Sequence, residues 1–294
     1  MPHIGEIMAV SCALCWAIAV LLFRRVPIMD PRGLNLFKNT IAFALLLITL
    51  WLTGGHIDWQ RSPEDWLRLA GSALLGLTLG DTLFFAGLQR IGASVAAVTD
   101  CVYSPTVVAL SVVFLGESPH VGLLLGAPLV AAGLVLVSWQ GQTTAAEKVD
   151  RLGVLLSVSG VFATAIGVII AKPALDHSDL IEATTVRLFF AAASLLVWQM
   201  ASGRLRSSFD MFRPQPMWRP MIPATLVGTY LSMLLWMGGI KYTQASHAAL
   251  LNQMATVFLL LLSRFVGGEV VPPRRWIGAG IAVVGVLLVL RGAP

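Results

Sequence analysis

Four ionisable side chains lie where water should not reach: Lys38, Asp81, Asp100 and Arg187. Each sits more than about one helical turn inside an apolar run. A charge at the centre of such a run costs roughly 2.5–3.5 kcal/mol on insertion scales, so residues kept there pair with one another, bind solutes or relay protons. At 1.5 Å per residue, Lys38 and Asp100, counted from the starts of their runs, and Asp81, counted from the end of its run, fall roughly 8–11 Å below one interface. They are expected to form one cluster. An ion pair between Lys38 and one aspartate would offset desolvation and lock the surrounding helices together. That pairing leaves one carboxylate over, free to carry a proton or to meet a cationic substrate. Asp81, which lies deeper, is the expected candidate.

The elements that hold these residues follow from composition. Of 294 residues, 57% are hydrophobic and only 12% charged, and the mean hydropathy is +0.81. Average soluble proteins carry roughly 25% charged residues, and a soluble body of this size could not cover itself with so little charge. A soluble enzyme, a nucleic-acid binder and a secreted disulfide module are therefore excluded. The net charge of +5 does not argue for nucleic acid, because the basic residues are scattered singly or in pairs such as Arg24–Arg25 and Arg274–Arg275, as interfacial anchors are. Cys12, Cys15 and Cys101 all lie in apolar runs and read as small interior residues. The first run has no basic residue before it and reads as a retained span rather than a signal peptide.

About 20 apolar residues cross a bilayer as a helix. Ten such runs occur, roughly 4–23, 33–53, 67–88, 93–115, 120–139, 152–171, 181–201, 219–240, 245–265 and 274–291. The alternating polarity of a membrane barrel is absent, so an all-α membrane protein of ten transmembrane helices is expected. The first five spans resemble the last five. Ala93-Ser94 with Ala96-Ala97 recurs as Ala245-Ser246 with Ala248-Ala249, and Gly116-Glu117 recurs as Gly268-Glu269. Gly126-Ala127 and Gly133 recur as Gly278-Ala279 and Gly285. Two repeats are expected, 1–141 and 142–294. Five is odd, so tandem copies insert with opposite orientation, the architecture of secondary transporters with a site between the halves near the midplane.

Glu117, Gly126 and Gly133 with their copies Glu269, Gly278 and Gly285, and the Ala-Ser pair opening each fourth helix, make the chain resemble the EamA-type transporters of the drug/metabolite transporter superfamily across both halves. The resemblance implies that helices one to four and six to nine surround a central cavity, with the fifth and tenth outside it. It also implies cytoplasmic termini and residence in the bacterial inner membrane. One departure is plain: Pro105 in the first half corresponds to Val257, which argues against equal hinges. The charge bias also runs the other way. The face holding both termini carries only Arg61, Arg68, Lys172, Lys241 and Arg291 among the shallow basic residues, and the positive-inside rule would put that face outside.

The second half breaks the charge symmetry, since Asp100 corresponds to Asn252 and Asp81 to Met233. Arg187 is thus expected to meet a helix-end carbonyl, to snorkel, or to bind a substrate carboxylate, which its fork suits. A lysine-plus-aspartate half facing an arginine-plus-amide half suits a zwitterion such as an amino acid. Trp16, Phe84, Tyr103, Tyr230, Trp236, His247, Asn252 and Gln253 are further cavity-lining candidates; lipid contact and helix packing explain any single aromatic equally well. His247, near a helix start, could equally face the interface. Trp139 and Trp276 read as interfacial belt residues. Glu117 and Glu269 read as helix N-terminal charges or loop ties rather than substrate ligands.

The reading that results is a permease or exporter of a small polar or amphipathic metabolite, working by alternating access. Its partners are that solute and the bilayer, with protons a candidate coupling ion and a homodimer left open; no cofactor, metal or nucleic acid is called for. No G-x-x-x-x-G-K-[ST] loop is present, so this chain does not hydrolyse nucleotide. The rivals are a membrane-embedded lipid enzyme, for which the dispersed histidines supply no catalytic cluster, and a passive channel.

Overall fold

The computed structural model describes residues 3–23, 30–138, 150–266, 268 and 270–291. Arg24, Arg25, Trp139 and Glu269 lie outside the described residues. Among the described residues, ten helices are long and apolar enough to cross a membrane. They are α1 (Ile4–Phe23), α2 (Pro31–Leu52), α3 (Pro63–Gly92), α4 (Val98–Leu115), α5 (Val121–Ser138), α6 (Arg151–Asp176), α7 (Leu180–Ala201), α8 (Trp218–Tyr242), α9 (Ala245–Phe265) and α10 (Pro273–Arg291). No strand occurs among the described residues. The starts are written locally. Pro31 and Pro63 open α2 and α3, where a missing N–H costs nothing. Ser62, Asp150 and Asp179 accept first-turn N–H groups of α3, α6 and α7. The chain reverses between α3 and α4 at Gly92, whose φ of 74° would strain any residue with a Cβ. A short helix, Leu205–Phe209, lies in the α7–α8 connection.

With an odd count in each half, α1 and α6 run in opposite directions, and the chain is built as two inverted five-helix repeats. The packing shows the exchange. α1 packs on α8 and α3 on α6, while α2 packs on α7, α4 on α9 and α5 on α10. Interchanging the halves maps this set onto itself, and every pair joins one half to the other. Side A denotes the face with the start of α1 and the α2–α3, α4–α5, α6–α7 and α8–α9 connections; side B is the opposite face.

Small residues set these contacts, because lipid supplies no hydrophobic drive between helices and close van der Waals approach must. On α5 and α10 a Cβ at Gly126 would stand 2.5 Å from the Gly285 carbonyl oxygen, and one at Gly133 2.5 Å from that of Gly278. The repeated glycines of the two halves thus touch each other. Seven residues apart, they lie about two turns along one helix face.

Both halves depart from regular helix at matching places. α3 contains a π-helical stretch, Ala73–Gly80, and α8 another, Leu226–Leu231. α4 is interrupted at Cys101–Val102 and α9 at Gln253. In α4, Pro105 supplies no N–H to the carbonyl four residues earlier. α9 breaks without a proline, so the expectation of unequal hinges is corrected. There Gln253 closes a tighter turn, its N–H donating to Leu250 O and its carbonyl accepting from Thr256 N, both at 3.2 Å.

Candidate functional site

The expected three-membered charge cluster resolves into a pair and a remainder. Lys38 Nζ donates to Asp81 Oδ2 at 2.5 Å, both side chains withdrawn from solvent. The Lys38 ammonium also lies 5.6 Å from the ring centre of Phe85. Asp81 follows directly on the π-helical stretch of α3, its backbone N–H reaching back to Gly76 O. Asn35, one turn before Lys38, donates to Leu77 O at 2.8 Å and to Thr82 Oγ1 at 3.1 Å. α2 therefore clamps the irregular part of α3 on both sides of Asp81. This corrects the assignment of the spare carboxylate. Asp81 is the lysine's partner, and Asp100, half-buried, has no ion-pair or side-chain hydrogen-bond partner among the described residues. Greater depth along an ideal helix favours Asp81 as the spare carboxylate; the pairing is decided instead by which aspartate points at Lys38.

Asp100 closes the first segment of α4, immediately before the interruption. Its backbone carbonyl accepts from Gln253 Nε2 at 2.9 Å. The breaks in α4 and α9 thus face each other and are bridged across the halves. Tyr103, one turn beyond, is buried in a small core with Val107, Val161 and Ala249, against which Phe84 and Trp236 pack. Asn252, at the other break, keeps a buried Oδ1 with no hydrogen-bond partner.

Arg187 neither snorkels nor reaches a helix-end carbonyl. It is fully buried, its Nη1 directed at the Met237 thioether, a weak acceptor. The guanidinium carbon stands 5.8 Å from the Trp236 ring centre. Its Nε and Nη2 have no hydrogen-bond partner among the described residues. Tyr103 and Asp81 are within electrostatic range of it. Tyr103 Oη and Trp236 Nε1 are likewise buried; they approach each other without reaching full hydrogen-bond geometry, and neither has another partner among the described residues. Arg187, Trp236 and Tyr103 thus gather N–H and O–H groups that lack an acceptor, each unmet donor costing about 1–3 kcal/mol. An acceptor oxygen entering among them would relieve that cost.

Other sequence candidates are placed elsewhere. Tyr230 bonds Thr49 on α2 through its hydroxyl at 2.7 Å, joining α8 to α2. Trp16 is half-buried on α1. His247 is buried and pairs with His120, Nε2 to Nε2 at 2.6 Å; it does not face the interface. His120 was legible only as one of five scattered histidines, since nothing in the spacing brings it to α9. A depression of about 310 Å³ on side B, lined by Asp30, Gly33, Met211 and Met217 among others, lies apart from all these groups.

Side A is fastened across the halves by one buried ion pair and one half-buried glutamate. Arg61 pairs with Glu182, both side chains nearly inaccessible. Glu117 accepts from Ala245 N at 2.6 Å and from Ser246 N at 3.1 Å and Ser246 Oγ at 2.5 Å. The glutamate of one repeat therefore caps the fourth helix of the other, where an anion is favoured by the helix dipole. Within the second half, Lys241 holds the end of α6, donating to Leu175 O at 2.6 Å and Ser178 O at 2.8 Å. Cross-half ties on side B are longer or exposed: Arg32 to Ser202 at 3.4 Å, Gln199 to Asp30 at 3.4 Å, and Arg90 to Asp150 at 3.0 Å.

The comparisons with known proteins agree with this architecture. A crystal structure of a protein 17% identical in sequence superposes with a TM-score of 0.78 over 98% of both chains, a likeness of fold. An uncharacterized transporter of Archaeoglobus fulgidus is 23% identical over 288 residues, 97% of each chain. The uncharacterized transporter YwfM of Bacillus subtilis is 23% identical over 269 residues, 90% of this chain and 85% of the relative. The sequence model of the EamA-like transporter family matches residues 3–139 and 151–291, and with ten membrane-length helices the chain is a multi-pass integral membrane protein belonging to the EamA-like transporter family.

Proposed function

We propose that this protein is a secondary carrier that moves a small zwitterionic metabolite, such as an amino acid, by alternating access between its two halves. The observation that carries this reading is the set of buried donors without acceptors on Arg187, Trp236 and Tyr103. They lie at the seam of the halves, and Tyr103 among them is within electrostatic range of Asp100, a half-buried carboxylate with no ion-pair partner among the described residues. In this reading Arg187 takes the substrate carboxylate, Trp236 and Tyr103 complete its acceptors, and Asp100 meets the ammonium. Lys38 and Asp81 neutralise each other and keep the α2–α3 pair rigid. Asp100, rather than Asp81, is then the central carboxylate open to a proton or a cation.

The paired breaks in α4 and α9 supply the moving parts. Unwound segments at mid-membrane expose backbone groups to a solute and let one half rock on the other. The buried and half-buried ties on side A and the longer or exposed ties on side B support a state sealed at side A.

Uptake and counterflow of radiolabelled amino acids in proteoliposomes test the reading. Saturable flux with trans-stimulation is expected, lost in Arg187→Gln and Asp100→Asn at equal protein level. Undiminished transport in Arg187→Ala would remove the carboxylate role. Flux that never saturates would mark a channel, and chemical conversion of the solute would mark an enzyme.

A further inference from the structure

His120 and His247 are used by nothing in the transport reading. His120 stands just before α5 and His247 in the first turn of α9, with ring centres 4.7 Å apart. Their hydrogen bonding fixes the tautomers. His120 Nδ1 accepts the Leu123 N–H at 3.0 Å, so in the neutral ring the proton is on Nε2. That proton is donated to His247 Nε2, 2.6 Å away, and the proton of His247 therefore sits on Nδ1.

One more proton cannot enter without breaking a bond. Placed on His247 Nε2, it would confront the His120 Nε2–H along the same line. If His120 moves its own proton to Nδ1 to make room, it confronts the Leu123 N–H instead. Either course loses a hydrogen bond, and the first loses the only one that joins the two rings. The added charge would also sit at the N-terminal ends of α5 and α9, where the macrodipole disfavours a cation. Glu117 and Glu6 lie within electrostatic range of His247 and oppose that effect. The other charged or titratable groups towards side A on the elements packed around α9 are His3, 3.8 Å from Glu6 at the start of α1, Lys241 and Tyr242 on α8, Lys172 and Asp176 on α6, and Arg291 on α10.

We propose that the His120–His247 pair is a proton-binding site whose loading unfastens side A. A proton taken up on His247 Nε2 breaks the tie between the α4–α5 connection and α9 one residue from the point where Glu117 caps Ser246. The repeat does not duplicate the device: Pro272 and Val95 stand at the matching positions of the opposite half. A proton therefore acts on one face only, which gives a symmetric architecture a directional response to pH. Imidazole is the side chain whose charge changes near neutrality.

The test reads the gate rather than transport, so it stands or falls separately from the carrier reading. Spin labels are placed at Ser118→Cys and His177→Cys, both exposed on side A and in opposite halves, with Cys12, Cys15 and Cys101 replaced by Ala. In substrate-free proteoliposomes, lowering the pH from about 8 to about 5.5 is expected to raise the longer-distance population about threefold or more. In His120→Gln/His247→Gln, where amides can bond each other but take no proton in this range, the distribution is expected to stay flat and short. In Asp100→Asn the response is expected to persist. A flat response in the parent overturns the proposal, as does a full response in the double variant. Loss of the response in Asp100→Asn alone would also overturn it, by moving the proton to the centre of the molecule.

Discussion

The two halves carry buried charge in different ways. In the first half, Lys38 is satisfied by Asp81 and the irregular turn of α3 is clamped by Asn35. In the second, Arg187 faces a thioether and a ring and keeps two N–H groups unmet. The first half has closed its buried basic residue upon an aspartate; the second holds its own open at the seam. The difference teaches that a buried charge in a duplicated scaffold is not automatically a scaffold charge. The satisfied member stabilises the fold, and the unsatisfied member is held by the fold at a cost of stability.

The largest expected effect breaks the satisfied half. Lys38→Met strands Asp81 in low dielectric and should destabilise the protein by about 3 kcal/mol in denaturant unfolding in detergent. Adding Asp81→Leu should restore most of that loss, because removing both members of a buried pair is often nearly neutral. Failure of the second substitution to restore stability would show that Asp81 does more than pair.

The complementary change empties the unsatisfied half. Arg187→Met deletes donors that have no acceptor, so unfolding stability should stay level or rise. Substrate uptake should fall about 100-fold, equivalent to about 2.7 kcal/mol. A variant that unfolds readily would instead assign Arg187 to the scaffold and erase the contrast between the halves.

A third change makes the two breaks alike. Val257→Pro gives α9 the proline that α4 has. The N–H it removes would serve the Gln253 carbonyl, which already accepts from Thr256. The cost should stay below about 1 kcal/mol, against the ~3 kcal/mol of a proline in regular helix, for which Leu260→Pro is the control. Equal costs would mean that the break at Gln253 does not persist in the membrane.

Much of this was legible in the chain. Ten apolar runs and an odd-numbered repeat are one-dimensional signals, and the inverted architecture follows from counting. Pairing of Lys38 with an aspartate followed from depth, and the loop-tie reading of Glu117 from its place between spans. Three features were not legible. Azimuth decides which aspartate meets Lys38, and a run too apolar for an amphipathic signal hides azimuth. The π-helical stretches at Ala73–Gly80 and Leu226–Leu231 arise from tertiary packing: on α3 the approach to Gly160 and Thr164 admits no side chain at Gly80, and no residue pattern announces it. His120 and His247 are brought together only by the contact of α5 with α9 from opposite repeats, which no spacing along the chain encodes.

The smallest expected effect concerns the two faces rather than the two halves. The side-A pair Arg61–Glu182 is buried, whereas the side-B pair Arg90–Asp150 is exposed. Hydrogen bonding from Arg90, then from the backbone N–H groups of Gly153 and Leu152, holds the Asp150 carboxyl below its ordinary value of 3.8. A depressed carboxyl contributes stability above its unfolded value, and that contribution disappears as the pH falls through the lower folded value. Solvent screening keeps it slight. Asp150→Asn retains an oxygen to cap Leu152 and loses only the charge facing Arg90. Its unfolding midpoint at neutral pH should fall slightly below the parent's, and that small difference should vanish in high salt. Glu182→Gln on side A leaves the buried Arg61 without its counter-charge, so it should lower the midpoint at any salt concentration. If the two variants behave alike, the fastening is not concentrated on side A, and the sealed-at-A reading of this state fails with it.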